Sequence, residues 1–160
     1  MWTHKSKSLA TRFPEKGGIM TQFDEKTRRP EPETSRVGAP FWEAAKNGKL
    51  IIQHCHACNE NIFYPRVRCP KCHAEELDWI DSAGKGTIYS YSVVLNNAPS
   101  AFQPDMPFVV AIVRLNEGVQ MLTNIVDCDP DAIHCDMPVE VVFREVGRFV
   151  LPLFRPAEQA

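Results

Sequence analysis

Four of the six cysteines fall into two close pairs, Cys55-His56-Ala57-Cys58 and Cys69-Pro70-Lys71-Cys72, with ten residues between them. Two residues between cysteines let both sulfurs reach one tetrahedral ion from a single tight turn, and a second such turn completes a set of four thiolates. The gap is shorter than the roughly 15–20 residues that often separate such pairs, but it can span a short hairpin. Asn59 and His73 follow the second cysteine of each pair. That position needs a left-handed backbone, which Asn and His tolerate better than most residues. Cys55, Cys58, Cys69 and Cys72 are therefore read as ligands of one Zn²⁺ per chain. Iron in the same four-thiolate set is the competing reading, one that colour decides. Four cysteine ligands leave no open position for water, so the zinc expected here is structural.

Four thiolates around Zn²⁺ carry a net −2, which takes the formal charge of the chain from −2 to about −4. Arg66, Arg68, Lys71, His56 and His73 are placed to offset that charge locally. Cys128 and Cys135 lack ligand spacing and read as small buried hydrophobes. A cysteine nucleophile needs a lowered thiol pKa and a helping base. Although His134 adjoins Cys135, the flanking residues are Asp127, Asp129, Asp131 and Asp136. Carboxylates raise a thiol pKa, so no catalytic residue is assigned. No glycine-rich phosphate loop is present, and Gly84-Lys85-Gly86 is a turn.

The elements that must hold these residues are short. In 160 residues with 13 prolines and 8 glycines, strands and turns are expected before a helical bundle. Pro40 opens a helix through Ala44 and Ala45, and Gly48 ends it. Phe41 and Trp42 on that helix must pack against the rest of the chain or against a partner. Strand-like runs at Leu50–His54 and Leu77–Ile80 bracket the cysteine pairs. Beyond a turn at Ser82–Gly86 come five strands, at Gly86–Leu95, Phe108–Leu115, Val119–Val126, Val139–Val146 and Arg148–Phe154. Five short strands with turn signals between them fit a small barrel of the OB type. The long loop from Asn96 to Met106 is of a length that is often functional.

No apolar run approaches the roughly 18 residues of a membrane span. No secretory segment is read at the start, so a cytoplasmic, reducing setting is expected. Residues 1–19 carry Lys5, Lys7, Arg12 and Lys16 but one acid, Glu15. They read either as a presequence or, preferably, as a translated ribosome-binding region ahead of a start at Met20. The resulting division is leader 1–19, extended arm and helix 20–48, metal ribbon 49–82 and barrel 83–157.

Phe41-Trp42-Glu43, Gly48-Lys49-Leu50, the two cysteine pairs, the run from Gly84 to Ser92 and Met137-Pro138-Val139-Glu140-Val141 stand in one order from about Phe41 to Pro156. Jointly they resemble the zinc-ribbon plus OB-fold family of acyl-CoA-associated proteins, once filed as a domain of unknown function. The resemblance implies a mainly β protein: a rubredoxin-like zinc ribbon with an N-terminal helical arm, then a five-stranded OB-fold barrel. It also implies a small, non-catalytic or co-catalytic subunit of a thiolase-fold enzyme, or of a hydratase or aldolase of CoA-ester metabolism, with a CoA ester near the interface. Family members often carry glycine where Asn59 and His73 stand here. Arg66 and Arg68 are candidates for the CoA phosphates. Phe102 and Phe108 are candidates for an apolar channel, and Phe41 and Trp42 for a partner surface.

The alternative is a module for single-stranded nucleic acid, since zinc ribbons and OB barrels both serve that role and Tyr89 and Tyr91 could stack bases. Period two puts Tyr89, Tyr91 and Val93 on one face and Ile88, Ser90 and Ser92 on the other. The pI of about 6.2 argues against this alternative, and no nucleic acid is expected.

Overall fold

A computed structural model describes residues 30–157, and the leader assigned to 1–19 lies outside them. Helix α1 runs Ala39–Lys46 with Pro40 in its first turn. It stops where Gly48 takes a left-handed φ of 70° and the Lys49 N–H turns back to the Ala44 carbonyl. Eight residues do not hold a helix in water, so side-chain packing must. Phe41 is only 6% exposed, its ring 5.1 Å from Trp42 and 5.6 Å from Phe63, while Trp42 lies edge-on to Phe149 at 5.5 Å. These contacts wedge α1 between the ribbon and the barrel.

The ribbon is a three-stranded antiparallel sheet. Strand β1 (Ile51–Cys55) lies between β2 (Glu60–Ile62) and β3 (Leu77–Asp81). Being central, β1 reads apolar on both faces, and Leu50, Ile51 and Ile52 share one core with the barrel. The exception is Gln53, buried at 5% exposure. Its side-chain amide accepts from the Arg66 N–H at 2.6 Å and donates to the Arg66 carbonyl at 3.1 Å. The polar group is thereby satisfied, and the chain is pinned just ahead of Cys69.

The barrel comprises β4 (Lys85–Val94), β5 (Phe108–Leu115), β6 (Gln120–Ile125), β7 (Pro138–Val146) and β8 (Phe149–Pro156). It closes in the order β4-β5-β6-β8-β7. β6 and β8 run parallel at Ile125 and Phe154, and all other pairs are antiparallel. That is the five-stranded Greek-key barrel of an OB fold. Its interior follows period two: Val109, Ala111, Val113 and Leu115 of β5 face Met121 and Ile125 of β6, Ile88 of β4 and Phe154 of β8. Gly86 sits where a Cβ would come within 2.3 Å of the Arg114 carbonyl oxygen, so the closest strand approach in β4 tolerates only glycine.

Strand β4 departs from the simple alternation. A bulge shifts its register between Ile88 and Ser90. Past it, Tyr91 and Val93 lie opposite the inward-facing Ala111 and Val109, and Ser90 and Ser92 lie opposite Ile112 and Val110. Tyr89 instead points outward, with the Arg114 guanidinium 4.6 Å over its ring. Tyr89 and Tyr91 therefore do not share a face as the sequence period predicts, because the bulge adds one residue to the strand. They form no common stacking platform.

The β5–β6 hairpin ties ribbon to barrel. The Glu117 carbonyl accepts from the Asn61 side chain at 2.9 Å, and Glu117 Oε1 accepts from the Ala83 N–H at 2.7 Å. Nearby, the Leu122 N–H donates to the Tyr64 hydroxyl at 3.2 Å.

Candidate functional site

Two turns carry the cysteines. The first links β1 to β2 and holds Cys55 and Cys58; the second lies between Cys69 and Ala74 and holds Cys69 and Cys72. In the second, the His73 N–H bonds the Cys69 carbonyl, the Cys69 N–H bonds the Ala74 carbonyl and the Lys71 N–H reaches Cys69 Sγ at 3.4 Å. Asn59 and His73 both have the left-handed φ expected of them, 56° and 63°. These paired turns bring all four sulfurs within 4.8 Å of one another. Cys55 and Cys72 are 3.6 Å apart, and Cys58 and Cys69 3.5 Å. Zn–S bonds of about 2.3 Å set tetrahedral S···S edges of about 3.8 Å, so the cage has the size of a four-thiolate metal site.

The electrostatics fit a cation as well. The backbone N–H groups of Cys72 and Lys71 hold the Cys69 thiol down to about 6 against the effect of burial. Burial, with the crowding thiols of Cys72, Cys69 and Cys55, pushes Cys58 up to about 12. Backbone donors thus favour the ionised form of Cys69, while burial and crowding disfavour that of Cys58, a cost that a bound cation would offset. The four cysteines form a group with the geometry to hold one metal ion, and a site with four cysteine ligands suits structure rather than catalysis.

The cations set against the thiolate charge are largely engaged elsewhere: Lys71 pairs with Glu60 and Arg68 with Glu75. His56 Nε2 lies 2.6 Å from Asp78. Their compensation of the metal site is therefore weaker than the sequence suggests. The pairs are exposed and screened by solvent, so each contributes little.

The remaining site candidates do not converge. Phe41 is used in the chain's own core and is closed to a partner. Trp42 is half-buried against Phe149. Arg66 and Arg68 are exposed on the ribbon. Phe102 and Phe108 do meet, with ring centroids 6.4 Å apart. They line a cleft of about 1450 Å³ on the outside of the barrel, between the arm at Pro30–Pro32, the loop before β5, and Leu151 and Leu153 of β8. Among the described residues no lysine or arginine lines it, and its charged lining groups are Glu31, Asp105 and Asp127. Glu31 is paired with Arg148 and Asp127 with Arg144, so the cleft suits an apolar group, and Arg66 and Arg68 belong to a different surface. Cys128 also borders it. Burial, then Asp127 and Asp129, raise its thiol pKa, the wrong direction for a nucleophile. Sequence reasoning missed the contribution of the arm and of β8, since neither carries a local signal.

A metal ribbon stacked on an OB barrel, with no assembled nucleophile among the described residues, defines the class. The particular family follows from the comparisons. Residues 42–78 match the rubredoxin-like zinc ribbon domain of ChsH2, and residues 79–144 match the ChsH2 C-terminal OB-fold domain. A solved structure titled Ltp2-ChsH2(DUF35) aldolase superposes with a TM-score of 0.72 at 40% identity, covering 79% of this chain and 98% of that one. A probable enoyl-CoA hydratase alpha subunit of Thermomonospora curvata is 40% identical over 147 residues, 91% of this chain. The chain spans 46% of that relative's length. Benzoylsuccinyl-CoA thiolase subunit BbsA of Geobacter metallireducens is 24% identical over 119 residues, 72% of this chain and 78% of that protein. The chain belongs to the DUF35 family of zinc-ribbon and OB-fold proteins.

Proposed function

We propose that the chain is a non-catalytic or co-catalytic subunit of a thiolase-like acyl-CoA enzyme complex, with the reacting residues on the partner chain. Its four cysteines hold one structural Zn²⁺ that shapes the ribbon. The CoA ester lies near the interface, and the cleft at Phe102 and Phe108 takes its uncharged acyl part or caps the partner's pocket. The single observation that carries this reading is the chemistry of the chain's thiols. Four are gathered into one cluster, Cys128 borders the apolar cleft with a raised pKa, and the exposed Cys135 does not line it, so among the described residues the cleft is a binding surface without an assembled nucleophile. Three relatives named as a hydratase subunit, an aldolase and a thiolase subunit support a shared accessory role better than any one reaction.

The test is the purified chain alone, assayed with CoA esters for hydration, retro-aldol cleavage and thiolysis. No turnover is expected. Turnover that disappears in Cys128→Ala or Cys135→Ala would overturn the proposal.

A further inference from the structure

Strand β4 is longer than the barrel needs. It closes the barrel against β7 only through Lys85–Thr87 and the backbone bonds of Ile88 to Asp136 and Met137. From the bulge to Val94 it pairs with β5 alone, and residues 89–92 are all exposed. The direction of the free backbone groups follows from β5. Val109 and Leu115 turn theirs toward β6, so by alternation Val110 and Ile112 turn theirs toward β4. Ser92 and Ser90, opposite them, exchange bonds with β5. Tyr91 and Val93 therefore aim their N–H and C=O groups away from β5, past the last contact with β7, where no described residue meets them.

Natural edges are usually blunted by charge, proline or a covering element. Ser90-Tyr91-Ser92-Val93-Val94 has no charge and no proline, and the bulge in β4 lies before it. The segment also complements itself. Laid antiparallel on a second copy about a two-fold at Ser92, it sets Tyr91 opposite Val93 twice, an aromatic and β-branched pairing that stabilises sheets. Each such pair exchanges two backbone hydrogen bonds, Tyr91 N–H to Val93 C=O and Val93 N–H to Tyr91 C=O. On the other face Ser90 meets Val94 and Ser92 meets Ser92, with no like charges opposed.

We infer that the free edge of β4 at Ser90–Val94 is a homodimer interface, where two copies of this chain join their barrels into one continuous antiparallel sheet. The inference is independent of the enzyme partner proposed above. An edge of five residues buries less than a standard interface, so the dimer is micromolar or weaker.

The experiment is sedimentation equilibrium of the full chain over a concentration series, with cysteine crosslinking. The mass should rise from 18.1 kDa toward twice that value. Ser92→Lys, which opposes two cations at the two-fold, should weaken dimerisation at least about tenfold without changing the far-ultraviolet circular dichroism. In this geometry the two Ser92 residues form a non-hydrogen-bonded pair with Cα atoms about 4.5 Å apart, within disulfide reach. Ser92→Cys should therefore crosslink on mild oxidation, whereas Ser90→Cys, whose counterpart is displaced along the strand, should not. A chain that stays monomeric at every concentration overturns the inference, as does a dimer whose constant is unchanged in Ser92→Lys. Equal crosslinking at 90 and 92 also overturns it.

Discussion

Replacing Cys58 by serine tests how the ribbon is held. On the metal side, the fully buried cluster consists of Cys55, Cys69 and Ile62, with Cys58, Ala74 and Leu77 partly covered. Ile62 is its one buried aliphatic side chain, worth about 1.5–3 kcal/mol. A structural zinc site supplies roughly 10–16 kcal/mol at neutral pH, several times more. The far end of the ribbon therefore depends on the ion. The near end does not, because Leu50, Ile51, Ile52, Trp79 and Ile80 pack into the core shared with the barrel. Losing even about 4 kcal/mol of metal binding lowers local exchange protection about a thousandfold. Cys58→Ser should thus lose its zinc and show amide exchange over residues 58–74 that is at least that much faster. β5 and β8 should keep their protection. The assay is hydrogen–deuterium exchange read by mass spectrometry, alongside elemental analysis for about one zinc per wild-type chain. A metal-free Cys58→Ser protein whose β2 amides stay protected would refute the reasoning, and so would loss of the whole barrel.

Three further outcomes follow. Gly86→Ala drives a methyl into the Arg114 carbonyl and should lower stability by about 3 kcal/mol or more, measured by urea unfolding of the barrel. Phe154→Ala, at a fully buried position, should cost about 3–5 kcal/mol in the same assay and leave the zinc content unchanged. The raised pKa of Cys128 leaves less thiolate at a given pH, so its alkylation by iodoacetamide should reach half-maximal rate above the usual cysteine value of about 8.5. A midpoint at or below that value would show that burial, with Asp127 and Asp129, does not raise its pKa.

Much of this structure was readable where one residue type permits one conformation or one chemistry. The CxxC pairs announced their two turns, and Asn59 and His73 marked the left-handed positions. The apolar run Phe108–Leu115 marked β5 as a strand, and Gly48 took a positive φ at the end of α1. What stayed hidden depends on distant partners. β2 has three residues of mixed polarity and exists because β1 offers it an edge beside the metal turns. The Gln53 clamp on Arg66 joins residues 13 apart, and nothing local distinguishes that glutamine from a surface one. The bulge at Tyr89 has no glycine to mark it, so period two was carried one residue too far. The cleft is assembled from the arm, one loop and two strands, and only its two phenylalanines stood out in the sequence.

The accessory-subunit proposal is tested most directly by affinity purification of the tagged chain from its native cells at mild salt, followed by assay of what co-purifies. The predicted result is a stoichiometric acyl-CoA enzyme whose turnover of a CoA ester falls severalfold when this chain is removed and recovers when it is returned. A chain that purifies without such an enzyme, or a partner whose turnover is indifferent to its presence, would contradict the proposal.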